Sequence, residues 1–343
     1  MAGITHLEQF QEPALRGLVD ESVHLREENP TFAQRFLPNL EVYSTDFAYN
    51  IVKQTKNLAS FIGYGSEPPV MDRDAVAKKF GSLAAFGLQY VATVEELMAL
   101  NQARSTGEQN ALIEKLERKA IDITEGIQDF ADVLRAQALT TGKLDHSNAE
   151  VKIKFDYGIP AEHKIGLSGV DTWDKVDADI LGKLIEWNEL YQNTNAGRKA
   201  DVMLVPAEVV ALMTKNKSII AEARPGIDGV TRISTKEVLE VLEGFDLPTL
   251  EIVRTRKKTV TNVYTGEVEA VEFFPAGRVV FAAEGLGNFY YGPNPEADNF
   301  EPKIVVKATD EDRPKRSIIE GYAAGFPVIE APSLLLHADV LAG

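Results

Sequence analysis

Five histidines carry the first chemistry to test: His6, His24, His146, His163 and His337. None stands four residues from another, the spacing that lets two imidazoles share one zinc ion from a helix face. His163 follows Glu162 and reads as a surface or turn histidine. Acyl transfer through serine needs a Gly-x-Ser-x-Gly elbow, and Gly166-Leu167-Ser168-Gly169 has the wrong spacing. No Gly-x-x-x-x-Gly-Lys-Ser/Thr is present to cradle a triphosphate. Gly285-Leu286-Gly287-Asn288-Phe289-Tyr290 offers half of a dinucleotide fingerprint. It lacks the third glycine and precedes an aromatic turn, where a helix N-terminus should stand. Asp310-Glu311-Asp312 could hold a cation through carboxylate oxygens, but a solvated acidic turn is the simpler reading. With 0 cysteines, disulfides, thiolate zinc sites and cysteine nucleophiles drop out together. The chain is therefore expected to have no catalytic residues, no metal and no cofactor, and not to be an enzyme.

The composition is that of an ordinary globular protein, 44% hydrophobic and 26% charged. That is too apolar for wholesale disorder. No run of 18 apolar residues could cross a bilayer, so no membrane partner is expected. Glu8, Glu12, Asp20, Glu21, Glu27 and Glu28 leave no apolar core for a secretory signal in the first thirty residues. The formal charge of −16 argues against reading a DNA duplex, which draws its affinity from phosphate neutralisation. Arg254, Arg256, Lys257 and Lys258, and then Arg313, Lys315 and Arg316, read as solvated faces. The length predicts about two domains.

Elements follow from periodicity. Leu15, Leu18 and Leu25 predict a short amphipathic helix in an acidic N-terminal segment, an arm packed on something else. From Val42 to Val52 the sequence is β-rich and partly alternating. A second apolar stretch, Leu58 to Tyr64, is broken by Gly63, Gly65, Pro68 and Pro69. This segment has apolar faces but no core of its own, which suits an interaction element. The strongest helix lies over 106–140. Leu112, Leu116, Ala120, Ile123, Ile127, Phe130 and Leu134 form one stripe, Ser105 and Glu108 form a capping box, and Gly142 ends the pattern. Val151 to Tyr157 alternates as a strand.

Beyond about 171 the pattern becomes α/β. Asp174 or Asp177 can cap a helix through Ile180, Leu184 and Tyr191. Asp201 to Val205 is a strand, Pro206 opens a helix to Thr214, and Thr235 caps a third helix that Gly244 stops. Strands follow over 250–254, 259–264, 267–273, 278–283, 303–308 and 316–324, with a turn at Thr265-Gly266.

At this point the chain resembles the major capsid proteins of tailed bacteriophages, the lambda-like protein E family. The resemblance rests on the following segments. Arg35-Phe36-Leu37-Pro38 precedes the β-rich loop with Leu58-Ala59-Ser60-Phe61-Ile62 and Glu67-Pro68-Pro69. The long helix ends in Ala138-Leu139-Thr140-Thr141-Gly142-Lys143. Val151 to Pro160 with His163 is followed by Trp173 and Asp177-Ala178-Asp179-Ile180-Leu181. Asp201 to Val205 comes with Asn216, and Tyr291-Gly292-Pro293 with Pro332.

The resemblance implies an α+β, Hong Kong 97-type capsid fold. Mapped onto this chain, 1–40 is an N-terminal arm and 41–75 an extended β-hairpin loop. Residues 76–170 form a peripheral domain with spine helix 106–140, 171–300 an axial domain, and 301–343 strands returning to the peripheral domain. The implied function is a major head protein that self-assembles through hexamers and pentamers into an icosahedral shell around phage double-stranded DNA. The DNA is a neighbour by non-specific proximity only. Implied partners are a scaffold, a portal and a decoration protein. The implied location is the virion capsid, assembled in the bacterial host cytoplasm. The expected inter-subunit residues are Tyr43, Phe47, Tyr49, Ile51, Phe61, Ile62 and Tyr64. The expected spine-helix core is Leu112, Leu116, Ile123, Ile127, Phe130 and Leu134. Arm and loop cannot bury themselves, so both are expected to bury against neighbours. An encapsulin-type nanocompartment is the alternative, a cofactor-free α/β enzyme the third reading, and an adhesin or tail protein the fourth.

Overall fold

A computed structural model describes residues 3–51, 77–147, 152–227, 229–261 and 267–341. In chain order the helices are α1 (Glu12–Glu28), α2 (Phe32–Phe36), α3 (Val94–Asn101), α4 (Thr106–Thr141), α5 (Ile180–Thr194), α6 (Ala207–Met213), α7 (Lys217–Ala223) and α8 (Thr235–Gly244). The first strands are β1 (Asn39–Glu41), β2 (Asp46–Ile51), β3 (Ala77–Ser82), β4 (Ala84–Ala92), β5 (Lys143–Ser147), β6 (Lys152–Asp156), β7 (Lys164–Gly166) and β8 (Val202–Pro206). The rest are β9 (Thr249–Val253), β10 (Lys257–Thr261), β11 (Val268–Glu272), β12 (Arg278–Ala282), β13 (Gly287–Tyr291), β14 (Val305–Asp312), β15 (Lys315–Ile329) and β16 (Leu335–Asp339). Helices α3 and α7 were not expected from the sequence; each spans only about two turns, too short for a periodic signal.

The chain divides into two compact units. Unit 1 gathers Met1–Ala48, Phe80–Arg135 and Asn288–Val328. Its sheet runs β1-β13-β15-β14, with β4 also paired to β15. Helix α4 packs on this sheet because β15 carries a glycine at the contact. A Cβ at Gly321 would stand 2.4 Å from Ile123 Cγ2 and 2.9 Å from Ile127 Cδ1. Leu116, Ile123, Ile127 and Leu134 are buried as the stripe requires. Leu112 and Phe130 are only half-buried. Ile113 and Ala131 are buried beside them. The contact line is thus turned by one residue at both places, and Phe130 instead meets Phe86 with ring centroids 5.2 Å apart. At the helix start Ser105 Oγ accepts from Glu108 N at 3.2 Å, but the Glu108 carboxylate accepts from Arg104 N, one residue earlier than a capping box requires.

The N-terminal segment differs from the expected neighbour-bound arm. Leu15 and Val19 are buried, and α1 packs on β14 of the same chain. Leu25 stays 55% exposed. Asp310 lies within a strand and is no solvated turn. It accepts from Ile4 N at 3.1 Å, Thr5 N at 3.2 Å, the Thr5 hydroxyl and Ser317 Oγ at 2.6 Å.

Unit 2 gathers Tyr49–Lys79, Ala136–Gly287 and Ile329–Gly343. Its sheet runs β7-β16-β12-β8-β9, so β16 stands between β7 and β12. The sequence reading sends all of 301–343 back to the peripheral domain, whereas the structure changes unit at 328/329. The expected boundary at 171 also falls inside unit 2, which already includes β5 to β7. The N-cap of α5 is Asp179, not Asp174 or Asp177; its Oδ1 accepts from Gly182 N at 2.9 Å. Asp174 pairs instead with Lys175 and Asp177 with Lys217. Ser234, not Thr235, caps α8 through a complete capping box with Glu237. Helix α8 runs through Gly244 and is capped at Phe245. Pro206 is the N-cap of α6. Trp173 stacks on Trp187 at 5.8 Å in the core. Asn216 caps α7 and donates to Ala178 O at 2.7 Å. Arg256 departs from its expected solvated face: its side chain is 16% exposed and bonded to Glu208 at 2.7 Å and Glu272 at 2.8 Å. His163 does sit in a turn, but fully buried. The half fingerprint at Gly285 leads straight into β13 with Phe289 buried.

Candidate assembly element at the root of the extended loop

The sequence offered no catalytic constellation, so the candidate site is a surface. Strands β2 and β3 pair as an isolated two-stranded ribbon. Phe61, Ile62 and Tyr64, and the side chains of Phe47, Tyr49 and Ile51, lie outside the described residues. Tyr43 is described, and 79% exposed. Leu40, three residues before it, is 42% exposed. Two large apolar side chains therefore face solvent where the loop leaves unit 1.

The root itself is fastened by backbone. Strand β1 runs parallel to β13 with Leu40 opposite Tyr290. Val42 N then donates to Tyr291 O at 2.8 Å, and Leu83 N to Thr45 O at 2.9 Å, which ties the two legs together. Ser82 Oγ donates to Asp46 Oδ1 at 2.8 Å, and Ser44 Oγ to Asp46 O at 2.7 Å. Gly292 makes the approach possible, since a Cβ there would fall 1.9 Å from Leu83 Cδ1.

A buried cation holds the chain just before the root. Arg135, 2% exposed on α4, donates from Nε to Leu37 O at 3.0 Å. Its other nitrogens bond Asp132 Oδ1 at 2.7 Å and Asn39 Oδ1. The guanidinium lies 4.2 Å from the centre of the Phe289 ring, and Phe289 N donates to Pro38 O at 2.8 Å. Burial pushes the Asp132 carboxyl up, against the pull of Arg135 and Arg26. Arg26 adds a bond to Asp129 at 2.5 Å. The turn Leu37–Asn39 is thus locked to the long helix by planar, multidentate bonding that lysine could not supply. The sequence reading missed Arg135. The available signal was its place four residues after Ala131 and eight after Ile127, on the apolar stripe, with Asp132 three residues before it.

Such an arrangement can grip another polypeptide; it contains no nucleophile–base pair. Among the described residues no three His, Asp or Glu side chains converge to hold a metal ion. No helix of the described residues is long and apolar enough to cross a membrane. A model of phage major capsid protein E matches residues 17–340. The chain belongs to the phage major capsid protein E family. None of the curated proteins matches it in sequence. Among solved structures it is similar to a protein of an Escherichia coli CFT073 prophage assigned as its capsid protein, with TM-score 0.58 and 16% identity over 96% of this chain and 98% of that one. It is also similar to a phage-related protein of Bordetella bronchiseptica RB50, with TM-score 0.54 and 12% identity over 94% and 96% of the two chains. A third is the satellite phage P4 procapsid, which includes a size determination protein, with TM-score 0.50 and 12% identity over 99% and 95%. The fold is accordingly the Hong Kong 97 type. The function is that of a phage major capsid protein, a component of the virion shell that assembles with itself. Between the phage capsid and the encapsulin-type nanocompartment, the family match favours the phage capsid.

Proposed function

We propose that this capsid protein is the repeating subunit of an icosahedral shell of hexamers and pentamers around double-stranded DNA, with 41–75 clamping each subunit onto its neighbour. One observation carries the clamp. An isolated two-stranded ribbon is marginal in water, yet β2 and β3 spring from a root bonded at both legs and backed by buried Arg135. A rigid root with exposed Tyr43 and Leu40 suits an element that finds its cover on another copy. In this reading unit 1 is the peripheral domain and unit 2 the axial domain. A scaffold, a portal and a decoration protein are its further partners, assembly takes place in the host cytoplasm, and the subunit has no catalytic activity. The formal charge of −16 keeps packaged DNA from adhering to the wall. Replacing 46–70 by a short Gly-Ser linker tests the clamp. Sedimentation should show the full chain in large particles and the deleted chain as small species that keep the emission of the buried Trp173–Trp187 pair in unit 2. Normal particles from the deleted chain would end the clamp reading.

A further inference from the structure

Strand β16 is the second strand of the unit 2 sheet, between edge strand β7 and central β12, and Leu335, Leu336 and Ala338 are fully buried. Side chains read the three successive carbonyls at its start. Asn195 Nδ2 donates to Ser333 O at 2.9 Å, Tyr191 OH to Leu334 O at 3.2 Å, and His163 Nδ1 to Leu335 O at 2.8 Å. Further along, His337 Nε2 donates to Leu139 O at 2.8 Å, in the last turn of α4. Arg278 donates to Thr140 O at 3.1 Å while holding both oxygens of Asp339 at 2.6 and 2.7 Å. These are helix-end carbonyls without an intrahelical partner. Strand β16 therefore closes the sheet and caps the end of α4 within unit 2.

We propose that β16 is an acid-released latch, kept shut by two buried histidines, His163 and His337, that must stay neutral. A carbonyl only accepts, so each bond fixes one tautomer, Nδ1–H in His163 and Nε2–H in His337. A neutral ring satisfies each bond fully. A second proton brings a charge into a site closed to water. His163 Nε2 is buried and bonded to nothing. His163 stacks on Tyr191 at 5.9 Å; burial holds it below the ordinary histidine range, outweighing the Leu335 carbonyl, its turn neighbour Glu162 and the Ser333 carbonyl, which all favour the charged ring. Around His337 stand Arg278 on β12 and Lys164 on β7, which repel a second positive charge, and Asp339 on its own strand, which Arg278 already occupies. Burial first, with Arg278 and Lys164, pushes His337 down to about 4. Once β16 detaches, both rings regain an ordinary value near 6.5 and take up protons.

The latch lies within one chain and works with or without a shell. Hydrogen exchange of the full chain, corrected for the intrinsic rate at each pH, reads it in the segments 331–341 and 136–142. Opening should rise about 40-fold between pH 6.5 and 4.5 from His337 alone, since a ring that titrates near 4 when held and near 6.5 when released adds about five- to sevenfold per pH unit in that window. The segment 315–322 of unit 1 should change far less. His337→Gln keeps an N–H for Leu139 O but does not titrate, and should remove that rise. Should this variant not fold, the wild-type slope decides: opening coupled to His163 and His337 takes up more than one proton. Protection of 331–341 that ignores pH, or an unchanged rise in a folded His163→Gln/His337→Gln chain, overturns the latch.

Discussion

Replacing Arg135 by Met is the sharpest probe of the loop root. Methionine keeps most of the buried stem and its packing but removes every charged bond. Three partners lose their donor: Leu37 O, Asn39 Oδ1 and Asp132. Removing one partner of a buried ion pair costs roughly 3–5 kcal/mol, because the other charge stays behind. Arg26 lies 3.8 Å from Asp132 and the carboxylate is 14% exposed, so the lower end applies. About 3 kcal/mol corresponds to roughly a 150-fold rise in local opening. Both tryptophans, Trp173 and Trp187, sit in unit 2 and are blind to this event. The assay is therefore hydrogen exchange in the segments 32–42 and 288–292. Adding Asp132→Asn to Arg135→Met should recover a good part of the loss, since no charge is then stranded. A change below tenfold in the single variant, or a double variant as open as the single one, would refute the claim that Arg135 fastens the root.

Further expectations follow from single contacts. Gly321→Val puts atoms where Ile123 and Ile127 already stand and should lower stability by about 1–3 kcal/mol, seen as a lower Tm. A Tm equal to wild type would show that α4 does not press on β15 there. Burial alone would raise the Asp310 carboxyl, but bonds from Ser317, Thr5 and Ile4 hold it below the usual carboxylate range. A depressed carboxylate stabilises at neutral pH and loses that contribution as pH falls through its folded value. Amides of residues 4–10 should thus lose protection in acid, and already at pH 7 in Asp310→Asn; protection unchanged in that variant contradicts the anchor.

Long-period features were legible in the sequence because they repeat. The stripe from Leu116 to Leu134 announces α4 within one residue at each end. Alternation and short apolar runs announce β6, β8 and β9 to β12, whereas β5, β7 and β16 of unit 2 were not read from the sequence. Caps were displaced by one or a few residues, as at Asp179 and Ser234, because neighbouring Asp, Ser and Thr compete for the same role and only the backbone turn selects one. What stayed hidden depends on partners far along the chain. Arg135 meets Leu37 and Phe289, His337 meets Leu139, and Asp310 meets Thr5. A lone charged or imidazole side chain has no period, so its burial cannot be read locally. The N-terminal segment was placed against a neighbour for the same reason: its cover on β14 lies about 290 residues away.

Cryo-electron microscopy of the purified full chain tests the central claim most directly. The account predicts closed shells in which 41–75 of each subunit lies across the next one, with its root still bonded to β13 of its own unit 1. Compact single subunits at every concentration and salt, or shells whose 41–75 segments fold back on their own chain, would contradict it.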